Sequence, residues 1–72
     1  MNHLKKLRLA AGMPQGLLAV KSHTAHYQMT MIECYDYCPG PGVRGRIAKA
    51  LNTTEAKIWP RLNHRHNGDT HA

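Results

Sequence analysis

Hydrophobic residues recur at helical spacing in five stretches of the chain, and turn-forming residues separate these stretches. Apolar positions three, four or seven residues apart lie on one face of an α-helix, so each stretch is expected to bury one side. The predicted helices span residues 2–11, 15–22, 25–34 and 41–51, and a short fifth helix opens at 53–56 and stops at Pro60. An all-α fold is therefore predicted. The residues expected to face inward are Leu4, Leu7, Ala11, Met13, Leu18, Thr24, Met29, Ile32, Val43, Ile47, Ala48 and Leu51.

The residues between the predicted helices suit helix ends and tight turns. Gly12 and Asn52 can adopt the left-handed conformation that often follows the last helical residue. His23 lies between the second and third helices, and histidine is one of the non-glycine residues enriched at positive φ. Residues 15–33 are therefore predicted to form two short helices joined by a tight turn, a helix-turn-helix. The expected helix starts are an N-cap at Asn2, a first helical position at Pro14 and an N-cap at Thr53.

The length of the chain, 72 residues, predicts a single small domain. Residues 1–62 are expected to fold, and the polar, histidine-rich stretch 63–72 is expected to be a disordered tail. A core of this size cannot easily enclose a large substrate cleft as well. The sequence also has no recognisable catalytic triad, phosphate-binding loop or paired carboxylates, so an enzyme is not expected.

The charge balance is strongly basic, with a formal net charge of +6 and a pI of about 9.8. Such a balance favours a polyanionic partner, either nucleic acid or an anionic membrane surface, although a solvated basic surface is the simpler alternative. Residues 1–13 contain no aromatic side chain, which disfavours a helix lying on a membrane. Neither a transmembrane helix nor a signal peptide is recognisable, so the cytoplasm is the expected location.

The two cysteines, Cys34 and Cys38, are expected to be free thiols in the cytoplasm. A zinc site formed with His64 and His66 is disfavoured, because the H-x-H spacing is shorter than that of zinc fingers. Neither a metal nor another cofactor is therefore expected.

Most of the chain, residues 3–59, resembles the lambdoid phage repressor and Cro family of helix-turn-helix proteins, also called XRE-like. The resemblance implies a compact five-helix bundle of the lambda-repressor type, a DNA-binding transcriptional regulator in a bacterial host cell and often a dimer. The ending KIWP at 57–60 also resembles, more weakly, the Ner-like phage regulators. The matching segments are LKKLRLAAGM at 4–13, Gln15, LAVKS at 18–22, MIE at 31–33 and RIAKALN at 46–52.

Several residues depart from the pattern of this family around the two central helices. Each departure is expected to weaken local structure by about 0.5 to 1 kcal/mol, because it removes a cap or a residue that favours helix. The departing residues are Pro14, Gly16, Leu17, His23 and Ala25.

The resemblance implies that the third helix lies in the major groove of DNA. Gln28 has the amide that pairs with adenine, and Tyr27 has a ring that can contact sugar or a thymine methyl group. His26 and Thr30 can bond to bases or phosphates, and Met31 corresponds to a later reading position. The predicted base-reading residues are thus His26, Tyr27, Gln28, Thr30 and Met31.

Phosphate contacts are expected from a second set of residues. Gln15 matches the family glutamine that clamps the DNA backbone at the start of the second helix, where free N–H groups attract anions. An ordinary solvated glutamine is the alternative, and the tyrosines could instead cover the edge of the core. The full predicted phosphate set is Gln15, Lys21, Tyr35, Tyr37 and Arg44.

Three further expectations concern assembly and regulation. Glu33 is expected either to cap a backbone group or to pair with Arg8. A homodimer interface is predicted at Ile58, Trp59 and Leu62, with the core as the competing assignment. Protonation of His23 and His26 is expected to tighten DNA binding at about pH 6 relative to about pH 8.

A different class of function stays open from the sequence. The same fold can serve as a protein-interaction module that has lost DNA readout. Ala25 is a poor cap for the third helix, and methionines such as Met29 and Met31 suit adaptable apolar surfaces. Binding of duplex DNA distinguishes the two functions.

Overall fold

The computed structural model describes residues 1–60. Within this range the chain forms five helices and no strand, which confirms the predicted all-α class. The predicted domain boundary at residue 62, the interface residue Leu62 and the tail at 63–72 lie outside the described residues. The helices are α1 (Leu4–Ala10), α2 (Gln15–Lys21), α3 (His26–Tyr35), α4 (Pro41–Ala50) and α5 (Glu55–Ile58).

The core receives apolar side chains from all five helices, as the helical spacing predicts. Leu7, Met13, Val43 and Leu51 pack around its margin. The inward prediction is wrong for Ala11, which is exposed because α1 ends one residue earlier, at Ala10. The core cluster consists of the fully buried Leu4, Leu18, Met29, Ile32, Ile47 and Ile58, joined by Ala19, Ala48 and Trp59.

Positive φ values occur at the helix ends where the sequence predicts them. Gly12, His23 and Asn52 have φ of 68°, 54° and 55°. After each of them an N–H group bonds to the carbonyl five residues earlier, as at Thr24 and Ala19, where the distance is 2.9 Å. This is the Schellman arrangement, which satisfies carbonyls at the end of a helix.

The predicted starts of α2 and α5 are each displaced by one residue. Pro14 is the N-cap of α2 rather than its first helical residue, because its ψ of 153° is extended. Thr54, also extended, takes the N-cap position of α5 that was predicted for Thr53. Neither side chain caps its helix, so these two starts depend on packing of the helices.

Asn2 ties the start of α1 to the end of α3. Helix α1 starts at Leu4, and its N-cap residue is His3 rather than the predicted Asn2. The Asn2 side chain, one residue before the cap, accepts a hydrogen bond from the Leu4 N–H at 3.0 Å. The Asn2 side-chain amide also donates to the Ile32 carbonyl at 2.9 Å and to Asp36 Oδ1 at 3.0 Å. Asp36 has φ of 55°, a left-handed residue that the sequence does not predict. These contacts fix the C-terminal end of α3 relative to the N-terminus of the chain.

The described helices are short, with at most ten residues in α3 and α4. Among residues 1–60, no helix has the length and apolar character needed to cross a membrane.

Candidate nucleic-acid interface

Helices α2 and α3 pack against each other and are joined by the turn 22–25. Ser22 is fully buried in this turn, and its hydroxyl donates to the Leu18 carbonyl at 2.7 Å. The Thr24 hydroxyl donates in turn to the Ser22 carbonyl at 3.1 Å. With His23 at positive φ, these bonds satisfy polar groups that the change of direction would otherwise leave buried and unpaired. The turn is therefore a defined structure rather than a loose link.

Arg46 of α4 donates hydrogen bonds to the backbone of the same turn. Its Nε donates to the Ser22 carbonyl at 2.8 Å, and its Nη2 donates to the His23 carbonyl at 3.4 Å. Both carbonyls lie at the C-terminal end of α2, where the helix dipole favours a cation. Arg46 is not among the residues that the helical spacing predicts to face inward from α4. No local signal reveals this contact, because its partners are 23 and 24 residues away in the chain.

A buried ion pair joins α1 to α3. Arg8 Nε lies 2.7 Å from Glu33 Oε2, and Arg8 Nη2 lies 3.0 Å from Glu33 Oε1. Arg8 Nη1 also donates to the Met13 carbonyl at 2.8 Å. The pairing of Glu33 with Arg8 is one of the two roles predicted for Glu33, and it is confirmed. Since a buried charge needs such partners, the pair restricts how α3 can rotate or slide against α1.

Gln15, at the start of α2, extends this network toward α3. Its Nε2 donates to Glu33 Oε1 at 3.2 Å, and the Thr30 hydroxyl lies 3.4 Å from its Oε1. A side-chain amide has two N–H donors, so one remains for a ligand when the other is held by Glu33. The phosphate role of Gln15 stays a prediction, and its amide is oriented from within the protein.

The residues predicted to read bases divide into an exposed and a half-buried group. Tyr27 is 73% exposed and Met31 is 40% exposed, and they lie one helical turn apart on α3. His26 is exposed at the first position of the helix. Gln28 and Thr30 are half-buried, because they flank the side of α3 that packs on the core. The outward centre of α3 is therefore occupied by Tyr27 and Met31.

The residues predicted to contact phosphate are also placed unequally. Lys21 is exposed, Tyr35 is 72% exposed and Tyr37 is 43% exposed. Most of the Tyr35 side chain therefore lies away from the core, and the phosphate contacts of these three residues stay predictions. Arg44 is different, because its Nε donates to Glu55 Oε1 at 3.0 Å and its Nη1 donates to the Pro39 carbonyl at 2.8 Å. Arg44 thus joins α4 to α5, and its phosphate contact stays a prediction.

Ile58 and Trp59 lie in the core rather than on a free surface. Ile58 is fully buried and Trp59 is 5% exposed. The Ile58 carbonyl also accepts a hydrogen bond from the His3 N–H at 2.8 Å, so this segment closes the core beside α1. The predicted dimer interface is wrong for these two residues, and the competing core assignment holds.

The exposed charges are almost all positive. Within residues 1–60, Arg8 and Arg44 have carboxylate partners, and Asp36 is the one acidic residue outside these two ion pairs. Asp36 itself lies 3.9 Å from the N-terminal amine. The exposed cations without a carboxylate partner among the described residues are Lys5, Lys6, Lys21, Arg46, Lys49 and Lys57.

Cys34 and Cys38 are both exposed free thiols. No cluster of three or more metal-binding side chains occurs in the part of the chain that the structure describes. His64 and His66, the other members of the zinc site considered above, lie outside that part.

A scan of the sequence against protein-family models finds no match, and a search of curated proteins finds none either. The likeness to the phage repressor and Cro proteins therefore rests on the matching segments 4–13, 18–22, 31–33 and 46–52 and on Gln15.

Proposed function

We propose that this protein binds double-stranded DNA sequence-specifically, with α3 in the major groove, and acts as a transcriptional regulator of the phage Cro or repressor kind. The observation that carries the proposal is the exposed face of α3, held rigidly by internal contacts on a basic protein. Occupancy of an operator would block or assist RNA polymerase. The protein would act in the cytoplasm of a bacterial host, without a catalytic step or a cofactor.

The bracing of α3 supports this proposal. The Arg8–Glu33 pair fixes its inner side, Arg46 fixes the turn before it and Asn2 fixes its C-terminal end. Helix-turn-helix proteins place the second helix of the unit in the major groove, and contacts with base edges require that helix to be held in one orientation. A braced helix also loses less conformational entropy on binding.

The charge distribution supports the proposal independently. The six exposed cations without a carboxylate partner suit a phosphate backbone, which provides most of the affinity in sequence-independent binding. Lys21 and Arg46 lie at the turn that leads into α3, where they can position that helix on DNA. We assign phosphate contacts to Gln15, Lys21, Tyr35, Tyr37 and Arg44, and base contacts to His26, Tyr27, Gln28, Thr30 and Met31.

Two copies on neighbouring half-sites would give the operator its two-fold symmetry. Because Ile58 and Trp59 are buried, a homodimer would have to use other surfaces of the chain.

The test is a fluorescence-anisotropy titration of a mixed-sequence duplex at two salt concentrations, followed by a duplex selected from a random library. We expect the logarithm of the binding constant to fall linearly with the logarithm of salt concentration. Gln28→Ala should weaken the selected duplex by about 1 to 3 kcal/mol, because it removes a base contact, and leave the mixed-sequence duplex nearly unchanged. Val20→Ala, an exposed change on α2, is the matched control.

The second candidate function is a protein-interaction module. It is favoured by the absence of lysine and arginine from α3 and by the exposed Tyr27, Met31 and Tyr35. In addition, the N-cap residue Ala25 makes no side-chain bond. If folded protein binds no duplex at low salt, this candidate replaces DNA binding.

A further inference from the structure

The outward face of α3 offers apolar and aromatic atoms where it points farthest from the core. Tyr27 and Met31, four residues apart, lie on the side opposite the buried residues Met29 and Ile32. Tyr35 continues the same side one turn later and is 72% exposed. The helix contains no lysine or arginine at any position.

Two polar side chains of α3, those of Gln28 and Thr30, are less exposed than Tyr27 and Met31. Gln28 is half-buried. The Thr30 hydroxyl is also half-buried, and it lies 3.4 Å from Gln15 Oε1 and 3.5 Å from the His26 carbonyl. A hydroxyl has one hydrogen to donate, so internal acceptors already compete for it. Hydrogen bonds to base edges are therefore expected from the sides of α3 rather than from its outward centre.

We infer that α3 recognises thymine through its 5-methyl groups, with Tyr27 and Met31 as the specificity-determining residues. The inference rests on the proposed binding of duplex DNA. Thymine is the one base that presents an apolar group in the major groove, whereas guanine is most often read by arginine or lysine. A face with exposed apolar atoms and no cation thus fits an operator with thymine at its central contacted positions.

Charge complementarity favours DNA over a protein as the partner of this face. The exposed cations outside α3 match a polyanion, and one acidic residue among residues 1–60 stands outside the ion pairs. Phosphate contacts from these cations would then provide affinity, and Lys21 and Arg46 lie at the turn that leads into α3. The methyl contacts would determine the sequence that is bound. A neutral apolar protein surface would leave these cations without partners.

The experiment replaces thymine by uracil, one position at a time, in the duplex selected from a random-sequence library. Uracil removes the methyl group and keeps the base pair, the phosphate charge and the hydrogen-bonding edges. Wild-type affinity should fall about fourfold for each contacted methyl that is removed, because burying a methyl group is worth on the order of 0.8 kcal/mol.

Substitutions in α3 test which side chain contacts each thymine methyl group. In Tyr27→Gln and Met31→Gln, each measured separately, the effect of uracil should disappear at the position that the residue contacts. Both side chains are exposed, so circular dichroism should show a folded protein. Val20→Gln makes a comparable change at a site on α2 that is 73% exposed, and it should keep the full uracil effect.

The outcomes separate the inference from the proposed function. Uracil effects that vanish in either variant support methyl readout. If the selected duplex binds equally well with uracil at every position, methyl readout is overturned. The proposed DNA binding is then unaffected. Failure of folded protein to bind any duplex at low salt overturns both the methyl readout and the proposed DNA binding, and the protein-interaction module becomes the leading candidate function.

Discussion

The Glu33 carboxylate accepts two hydrogen bonds from the Arg8 guanidinium, at 2.7 and 3.0 Å, across 25 residues of sequence. Both side chains are nearly inaccessible to solvent. The same carboxylate also accepts a hydrogen bond from Gln15 Nε2. One acidic group therefore positions α1, the start of α2, and α3. The proposed DNA-reading helix therefore depends on a contact that faces away from DNA.

Removal of one partner of this pair should be costly. Glu33→Gln is expected to lower the free energy of unfolding by about 3 kcal/mol, because the Arg8 guanidinium then stays buried without its counter-charge. Replacement of both partners, in Arg8→Met with Glu33→Leu, should recover most of the loss. Urea denaturation followed by circular dichroism measures both effects.

The half-exposed pair Arg44–Glu55 provides the comparison for that prediction. Glu55→Gln is expected to cost about 1 kcal/mol or less, since solvent screens an exposed pair. Equal losses for Glu33→Gln and Glu55→Gln would show that burial of the first pair has no energetic consequence.

Arg46 should stabilise the turn between α2 and α3 through its two carbonyl contacts. Arg46→Met is expected to lower the free energy of unfolding by about 1 to 2 kcal/mol, as for hydrogen bonds to a charged group. Lys49→Met, an exposed change on the same helix, should stay within about 0.5 kcal/mol. Thermal unfolding compares the two, and an equal loss would mean that the Arg46 contacts are energetically neutral.

Arg46→Lys separates the shape of this side chain from its charge. Lysine keeps the positive charge and lacks the planar fork that reaches both carbonyls, so stability should fall nearly as far as in Arg46→Met. The salt dependence of DNA binding should stay close to that of wild type, because it follows the number of cations at phosphates. Anisotropy titrations of Arg46→Lys and Arg46→Met at several salt concentrations provide the comparison.

Ile58 and Trp59 should behave as core residues. Ile58→Ala is expected to lower the free energy of unfolding by about 2 to 5 kcal/mol, whereas exposed Val20→Ala should stay within about 0.5 kcal/mol. Trp59 is the single tryptophan, so its emission reports on this segment alone. Its emission maximum should not change between dilute and concentrated protein. A shift on dilution would instead indicate that Trp59 lies at an interface between two copies of the chain.

Much of the fold could be predicted because its signals are local. The spacing of Leu18, Met29 and Ile47 in their helices indicates which sides are buried, and all three are fully buried. Gly12, His23 and Asn52 end helices at positive φ, since this preference belongs to the single residue and its neighbours. The shifted starts at Pro14 and Thr54 differ by one residue, because N-cap and first helical positions accept similar residues.

The candidate site was less predictable, because its residues compete for partners across the chain. Gln15 and Arg44 were both expected to face phosphate, and both make hydrogen bonds to glutamates within the protein. Ile58 and Trp59 could have packed either in the core or at an interface, since an apolar pattern does not indicate which surface its residues contact.

Periodicity and turn chemistry thus sufficed for the helical class and for the unit formed by α2 and α3, because these depend on interactions a few residues apart. The orientation of α3 depends instead on Arg8 with Glu33 and on Arg46 with the Ser22 carbonyl, pairs that are 25 and 24 residues apart. Folding brings such groups together, and their charges and hydrogen bonds then select one arrangement of the helices.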